Sequence, residues 1–199
     1  MNLISVTRPA TNSNETLVLM HGLGSGEQDM FGLAEQIDQR IEVVCLRAPF
    51  TYGPGYAWFD IQWTPQGIKA DENQVKESVS LVTDILSNLN RPNLIVGGFS
   101  QGAMMALGAI HQNPALFKGG LLLSGRDIGA GCPSFQGKIF QGHGILDEVI
   151  SIREARELNH VLTGLGTNYE YHEYGMGHSI CDQELTDLNQ WLAQNLDLK

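Results

Sequence analysis

The sequence is short of the groups that several protein classes depend on. It has only three cysteines, Cys45, Cys132 and Cys181. An odd number with no C-x-x-C spacing argues against a disulfide framework and against a cysteine zinc site. Basic residues are in the minority, twelve against twenty-two acidic ones, and the formal net charge is −10. A surface so charged repels nucleic acid and anionic lipid instead of recruiting them. No apolar run approaches the ~18–20 residues of a membrane span. The first residues, Met1 to Pro9, show no basic start leading into a long apolar stretch, so no signal peptide is expected. Repeats, linkers and low-complexity tracts are also missing. These absences lead to the expectation of a cytoplasmic protein with no stable membrane insertion and no nucleic-acid partner.

What is present is a chain of 199 residues with 42% hydrophobic and 17% charged side chains. That length suits a single domain over residues 1–199, and the composition allows a packed core. Short apolar runs predict strands at Ile4–Thr7, Leu17–Met20, Val43–Leu46, Leu94–Gly97, Gly120–Leu123, Lys138–Gln141 and Tyr169–Tyr174. Most are continuous, as in a parallel sheet covered on both faces. The polar stretch Ala10–Glu15 reads as a turn joining the first two strands into an antiparallel pair.

Helical spacing recurs between the strands. Val75, Val79, Val82, Ile85, Leu86 and Leu89 share one face, behind a capping box of Asp71 and Gln74. Ser151 and Glu154 form a second box before Ala155–Leu162. Gly102–His111 is a small-residue helix ended by Asn113-Pro114, and Ser179 precedes a last helix bearing Leu185, Leu188, Trp191 and Leu192. Alternating strands and helices imply an α/β fold with a mainly parallel sheet, whose ligands bind beyond the carboxyl ends of the strands. The longest aperiodic segment, Pro49–Gly67, is rich in aromatic residues and too apolar to be read as disordered.

Chemistry is therefore sought in the loops that follow strands. Leu94 to Gly102 runs from a buried strand through Gly98-Phe99-Ser100-Gln101-Gly102 into a helix. G-x-S-x-G in that setting is a nucleophile elbow: a tight turn thrusts the serine hydroxyl out of the sheet edge, and the glycines leave room for neighbouring backbone. The Gln101 amide, at the helix start, can donate to an oxyanion. Leu17 to Gly26 is a strand entering a His21-Gly22-Leu23-Gly24 loop, which offers the Leu23 amide as second donor, with His21 shaping the loop. Its glycines miss both the dinucleotide and the Walker spacing.

A serine needs a base, and the class order is Ser, then Asp or Glu, then His. His111 and His160 lie within predicted helices, His172 lies within a strand, and His143 precedes every late acid. His178, between the last strand and the last helix with Gly175 and Gly177 before it, is the favoured base. Asp147, a few residues beyond a strand end, is the favoured orienting acid; Asp127 is its main competitor, and Glu148 is expected to face solvent.

His21-Gly22-Leu23-Gly24, Arg47-Ala48-Pro49, Ala57-Trp58-Phe59-Asp60, Gly98-Phe99-Ser100-Gln101-Gly102, His143-Gly144 with Asp147-Glu148-Val149-Ile150, and Gly177-His178 occur in that order. Together they resemble the phospholipase/carboxylesterase family of α/β-hydrolases, which includes acyl-protein thioesterases and small bacterial carboxylesterases. The resemblance runs from about Leu17 to Leu196. It implies an α/β-hydrolase fold with helices on both faces and no large cap domain. It also implies a Ser100–Asp147–His178 triad, oxyanion amides at Leu23 and Gln101, and no metal or organic cofactor.

The substrate implied is a small carboxylic ester of short to medium acyl chain, with acyl-protein thioesterase or lysophospholipase activity on the same triad as the alternative. The region around Trp58 would line the acyl channel, and Phe31, Tyr52, Trp58, Trp63 and Met176 are the candidate acyl contacts, each readable equally as core. A non-catalytic binding protein on the same fold is the remaining rival, and a homodimer is left open. The stretch between Ser124 and Lys138 is compact for the family, so the acyl pocket is where this chain is expected to differ.

Overall fold

The computed structural model describes residues 3–12, 14–65, 67–129, 135–164 and 168–198. The chain begins with β1 (Ser5–Arg8), β2 (Glu15–Met20), α1 (Glu27–Ala34) and β3 (Glu42–Leu46). Four short strands follow, β4 (Phe50–Tyr52), β5 (Gly55–Ala57), β6 (Ile61–Thr64) and β7 (Gly67–Ala70). Then come α2 (Glu72–Asn88), β8 (Asn93–Phe99), α3 (Gln101–Gln112), β9 (Phe117–Leu123) and β10 (Lys138–Gly144). The last elements are α4 (Ile152–Gly164), β11 (Asn168–Tyr174) and α5 (Asp182–Asn195). Seven strands form one sheet in the order β1-β3-β2-β8-β9-β10-β11, parallel except for β1. All seven sequence-predicted strands are present.

The pairing of β1 corrects the sequence reading. Its antiparallel partner is β3, with Val6 opposite Cys45, and not β2. Every residue of β2 is buried, and both of its edges are taken by β3 and β8 in parallel. The more exposed β1 is left with the outer edge of β3. The described residues of the Pro49–Gly67 segment form the β4–β5 hairpin and β6, with Gly67 opening β7. Helix α1 was missed altogether.

The alternation of a strand's side chains divides the core in two. Val18 and Met20 join Val44, Val96 and Leu122 under α2, α3 and α4. Leu17 and Leu19 join Val43, Ile95 and Phe140 under α1 and α5, with Leu188 and Trp191. Burial on both faces is why these strands read as unbroken apolar runs.

The helix starts are built differently from the expected capping boxes. Asp71 does cap α2, accepting from the Asn73 and Gln74 amides. The Gln74 side chain turns instead to Asp60, accepting from its amide at 2.6 Å and donating to its carboxylate at 3.0 Å. Glu154 likewise pairs with Arg126 at 3.2 Å instead of returning to Ser151. Cys181, not Ser179, occupies the N-cap position of α5. In each case a tertiary partner or the strand-to-helix path overrides a local sequence signal.

One buried acid on the α5 side is unpaired. Both carboxyl oxygens of Glu184 are enclosed without a hydrogen-bond partner, close against Gly142 and Tyr174. Burial, reinforced by the Asp187 charge, pushes this carboxyl up to about 8 from an ordinary 4.5. Between those values the folded chain keeps a proton that the unfolded chain has released. Stability should therefore fall as pH rises from 4.5 towards 8 and level off above that. The Glu184→Gln variant should remove this slope, and urea unfolding of both proteins at either end of that interval checks it. An equal slope in the two would rule Glu184 out as its source.

Candidate active site

The parallel neighbours β2, β8, β9, β10 and β11 send their following loops off one carboxyl edge of the sheet. Ser100 follows β8 directly and has φ 55° and ψ −116°, a conformation that an L-residue adopts only under strain. The turn requires close approach of backbone. A Cβ on Gly102 would lie 1.9 Å from the Met20 carbonyl oxygen, and one on Gly98 would lie 2.4 Å from the same atom. The Ser100 amide donates to the Leu123 carbonyl at 2.8 Å, which ties the elbow to β9.

Asp147 lies three residues past β10 and His178 four past β11, where Gly144 and Tyr174 are in register. Backbone bonds join these two loops: Ile145 donates to the Tyr174 carbonyl at 2.8 Å and Leu146 to the Met176 carbonyl at 3.0 Å. The Asp147 carboxylate is held at one oxygen by the Val149 and Ile150 amides, each at 2.8 Å. Its other oxygen accepts from His178 Nδ1–H at 2.7 Å. His178 Nε2 in turn accepts from the Ser100 hydroxyl at 2.8 Å. Beneath this array His143, fully buried, donates from Nε2 to the Ile150 carbonyl at 2.9 Å and lies 3.4 Å from Asp147. Ser100, Asp147 and His178, predicted from separate stretches, thus meet in one hydrogen-bonded line. The competitor Asp127 is turned aside and accepts from the Gly129 amide; Glu148 is exposed.

Leu23 lines the cavity in front of Ser100, and Gln101 stands at the start of α3. The loop bearing Leu23 is shaped by His21. Its Nε2 accepts from the Ala48 amide at 3.0 Å, so the proton sits on Nδ1, which donates to the Gly22 carbonyl at 2.7 Å. Burial lowers the affinity of this imidazole for a second proton and keeps it neutral. The β4–β5 hairpin braces the same loop: the Gly24 amide donates to the Tyr56 carbonyl and the Tyr56 amide to the Ser25 carbonyl. Arg47 anchors the hairpin, bidentate to buried Glu27 and 4.6 Å above the Tyr56 ring.

The cavity at Ser100 has a volume of about 450 Å³, within the range of small-ligand pockets. Its apolar wall includes Leu23, Met30, Phe59, Ile61, Phe99, Met104, Val149 and Ile150, and of the expected acyl contacts Phe31, Tyr52, Trp58 and Met176 lie elsewhere. Trp58 is enclosed in the core. Its indole N–H donates to the His21 carbonyl at 2.9 Å, and its carbonyl accepts from Ser78. Phe31 packs half-buried on the α1 side of the core. Tyr52 is exposed on the β4–β5 hairpin with its ring against Gly24. Met176 is buried under the Asp147 loop. The Trp63 side chain lies outside the described residues. Chain position carried the missing signal: Phe99 precedes Ser100, Met104 lies one helical turn beyond it, and Val149 follows Asp147.

Comparison with known proteins agrees with this fold. The family model described as phospholipase/carboxylesterase matches residues 1–196. The chain belongs to that family. Acyl-protein thioesterase 1 of Kluyveromyces lactis is 26% identical over 227 residues, covering all of this chain and 99% of the relative. A probable carboxylesterase of Arabidopsis thaliana, described as SOBER1-like, is 30% identical over 155 residues, with 70% of this chain and 59% of the relative covered. Among solved structures, esterase PE8 superposes with a TM-score of 0.87 at 25% identity, over 98% of this chain and all of that one. The Bacillus cereus carboxylesterase superposes with a TM-score of 0.85 at 21% identity, over 98% and 95%. The fold is accordingly that of the α/β-hydrolases, without a large cap domain among the described residues, and the chain is a hydrolase of the esterase class. None of the described helices is long and apolar enough to cross a membrane.

The Gln101 side chain gives a separate test of how the elbow is held. Its carbonyl oxygen accepts from the Trp58 amide at 2.8 Å, and its amide donates to the Phe59 carbonyl at 2.7 Å, both buried. Gln101→Ala should strand both backbone groups and lower stability by about 2–4 kcal/mol. Urea unfolding checks this; a change below about 0.5 kcal/mol would show that the clamp does not matter.

Proposed function

We propose that Ser100 is the nucleophile, His178 the general base and Asp147 the orienting acid of an esterase that works through an acyl-enzyme. The observation that carries this reading is His178, with one ring nitrogen 2.8 Å from Ser100 and the other 2.7 Å from Asp147. Ser100 attacks the ester carbonyl as its proton passes to His178 Nε2. Asp147 holds the ring in the tautomer with hydrogen on Nδ1 and stabilises the imidazolium that forms. The Leu23 and Gln101 amides receive the oxyanion, the latter helped by the positive end of α3. His178 then returns its proton to the leaving alcohol or thiol. A water deprotonated by the same nitrogen releases the carboxylic acid and restores Ser100.

The cavity favours short to medium acyl groups, because about 450 Å³ bounded by Phe59, Met104 and Val149 limits the length that can be enclosed. The thioesterase names of several relatives support a second reading, in which a thioester carbonyl is attacked at the same serine.

Kinetics on esters from acetyl to dodecanoyl, with a thioester and an amide of matched acyl group, test the substrate class. Ester or thioester cleavage should exceed amide cleavage, and kcat/KM should peak before the longest chains. A preference for the amide would contradict the proposal. Ser100→Ala should lower kcat by ~10⁴–10⁶-fold and Asp147→Asn by ~10⁴-fold. Undiminished turnover in either variant would remove that residue from the mechanism.

A further inference from the structure

We infer that Arg126 selects esters that carry a carboxylate; the inference rests on the esterase reading above and names its substrate class. Arg126 follows β9, two residues beyond Ser124, and lines the same cavity as Ser100 and His178. It supplies the one guanidinium or ammonium group among the described residues of that wall, where most of the other side chains are apolar. A pocket of this kind sets ligand orientation through the few polar groups it contains. A guanidinium, always charged and presenting several N–H groups in one plane, is matched to a carboxylate.

Gly125 sets the distance to the reacting centre. A Cβ there would stand 2.6 Å from the Ala103 side chain and 3.6 Å from the Ser100 carbonyl oxygen, so the Arg126 backbone runs immediately beside the nucleophile's turn. The Arg126 side chain is about one-fifth exposed, which places its charge where water screens it only in part.

Among the described residues, Glu154 touches this cation and Asp29 shares the cavity wall with it. Glu154, on α4, pairs with one terminal nitrogen at 3.2 Å and is itself about 30% exposed. It steadies the guanidinium and also competes with an incoming anion. Asp29 is the acid in the cavity wall, but its charge is offset at the start of α1, where it accepts from the Gly26 amide at 3.0 Å and from the Ser25 hydroxyl. One guanidinium shared with Glu154 suits a monoanion better than a phosphate dianion. The substrate class is therefore a half-ester of a dicarboxylic acid, or an ester whose alcohol bears a carboxylate.

The test compares 4-nitrophenyl hydrogen glutarate with its neutral methyl ester, and 4-carboxyphenyl butyrate with phenyl butyrate. Each pair is run on wild type, Arg126→Met and Glu154→Gln. In at least one pair the wild type should favour the carboxylate-bearing ester in kcat/KM by about tenfold, the scale of one charge-assisted hydrogen bond. Arg126→Met should abolish that ratio. Glu154→Gln should raise the ratio, because the competing carboxylate is gone; a merely structural ion pair would leave the ratio unchanged or lower it. A wild type without preference in both pairs, or equal ratios in wild type and Arg126→Met, would overturn the inference. So would an unchanged or lowered ratio in Glu154→Gln, which keeps the question decidable if Arg126→Met does not fold. Absence of hydrolysis of all four esters would instead sink the esterase reading, and this inference with it.

Discussion

The site depends on one close backbone approach. The turn from β8 into α3 presses against the end of β2, and Gly98 and Gly102 permit it because each lacks the atom that would strike the Met20 carbonyl. That contact forces Ser100 into positive φ and points its hydroxyl off the sheet edge. The strain is held by the strand before it, the helix after it and the bond from the Ser100 amide to Leu123. A serine in relaxed helical geometry would lose the alignment with His178.

Around that turn, Ser100, Asp147 and His178 rest on residues outside their hydrogen-bonded line. His21 is closed off as a neutral bridge between the Leu23 loop and the segment that follows β3. Gln101 ties the elbow to Trp58 and Phe59, so the segment after the β4–β5 hairpin is fastened to the first residue of α3. The Arg47–Glu27 pair, with Tyr56 beneath the guanidinium, fixes the hairpin that braces the Leu23 loop. Glu27 is almost fully buried, so this charge is useful only while paired. His143 closes the loop that presents Asp147. On the proposed mechanism, His178 is therefore aligned with Ser100 and Asp147 before substrate arrives.

Much of this was legible in the chain. Ser100 could be read because the elbow needs a buried strand, two glycines and a helix in immediate succession, and all are written locally. Asp147 and His178 could be read because parallel strands put their following loops on one edge, so position after a strand stands in for position in space. Trp58 could not be placed, since a large aromatic side chain looks the same whether it fills a core or lines a channel. The partner of β1 was missed because sequence neighbours need not be sheet neighbours once β2 has both edges filled. Helix α1 spans eight residues with Gly32 inside, too short for its spacing to stand out. Gln74 and Glu154 broke the capping pattern because Asp60 and Arg126, distant in sequence, reach them in the folded chain.

The most direct measurement of the central claim is covalent labelling of the folded protein with a fluorophosphonate, followed by peptide mass spectrometry. A serine activated by His178 predicts one stoichiometric adduct, on the peptide containing Ser100, abolished by prior unfolding. An adduct on another residue, or an unlabelled protein that still hydrolyses esters, would contradict the account.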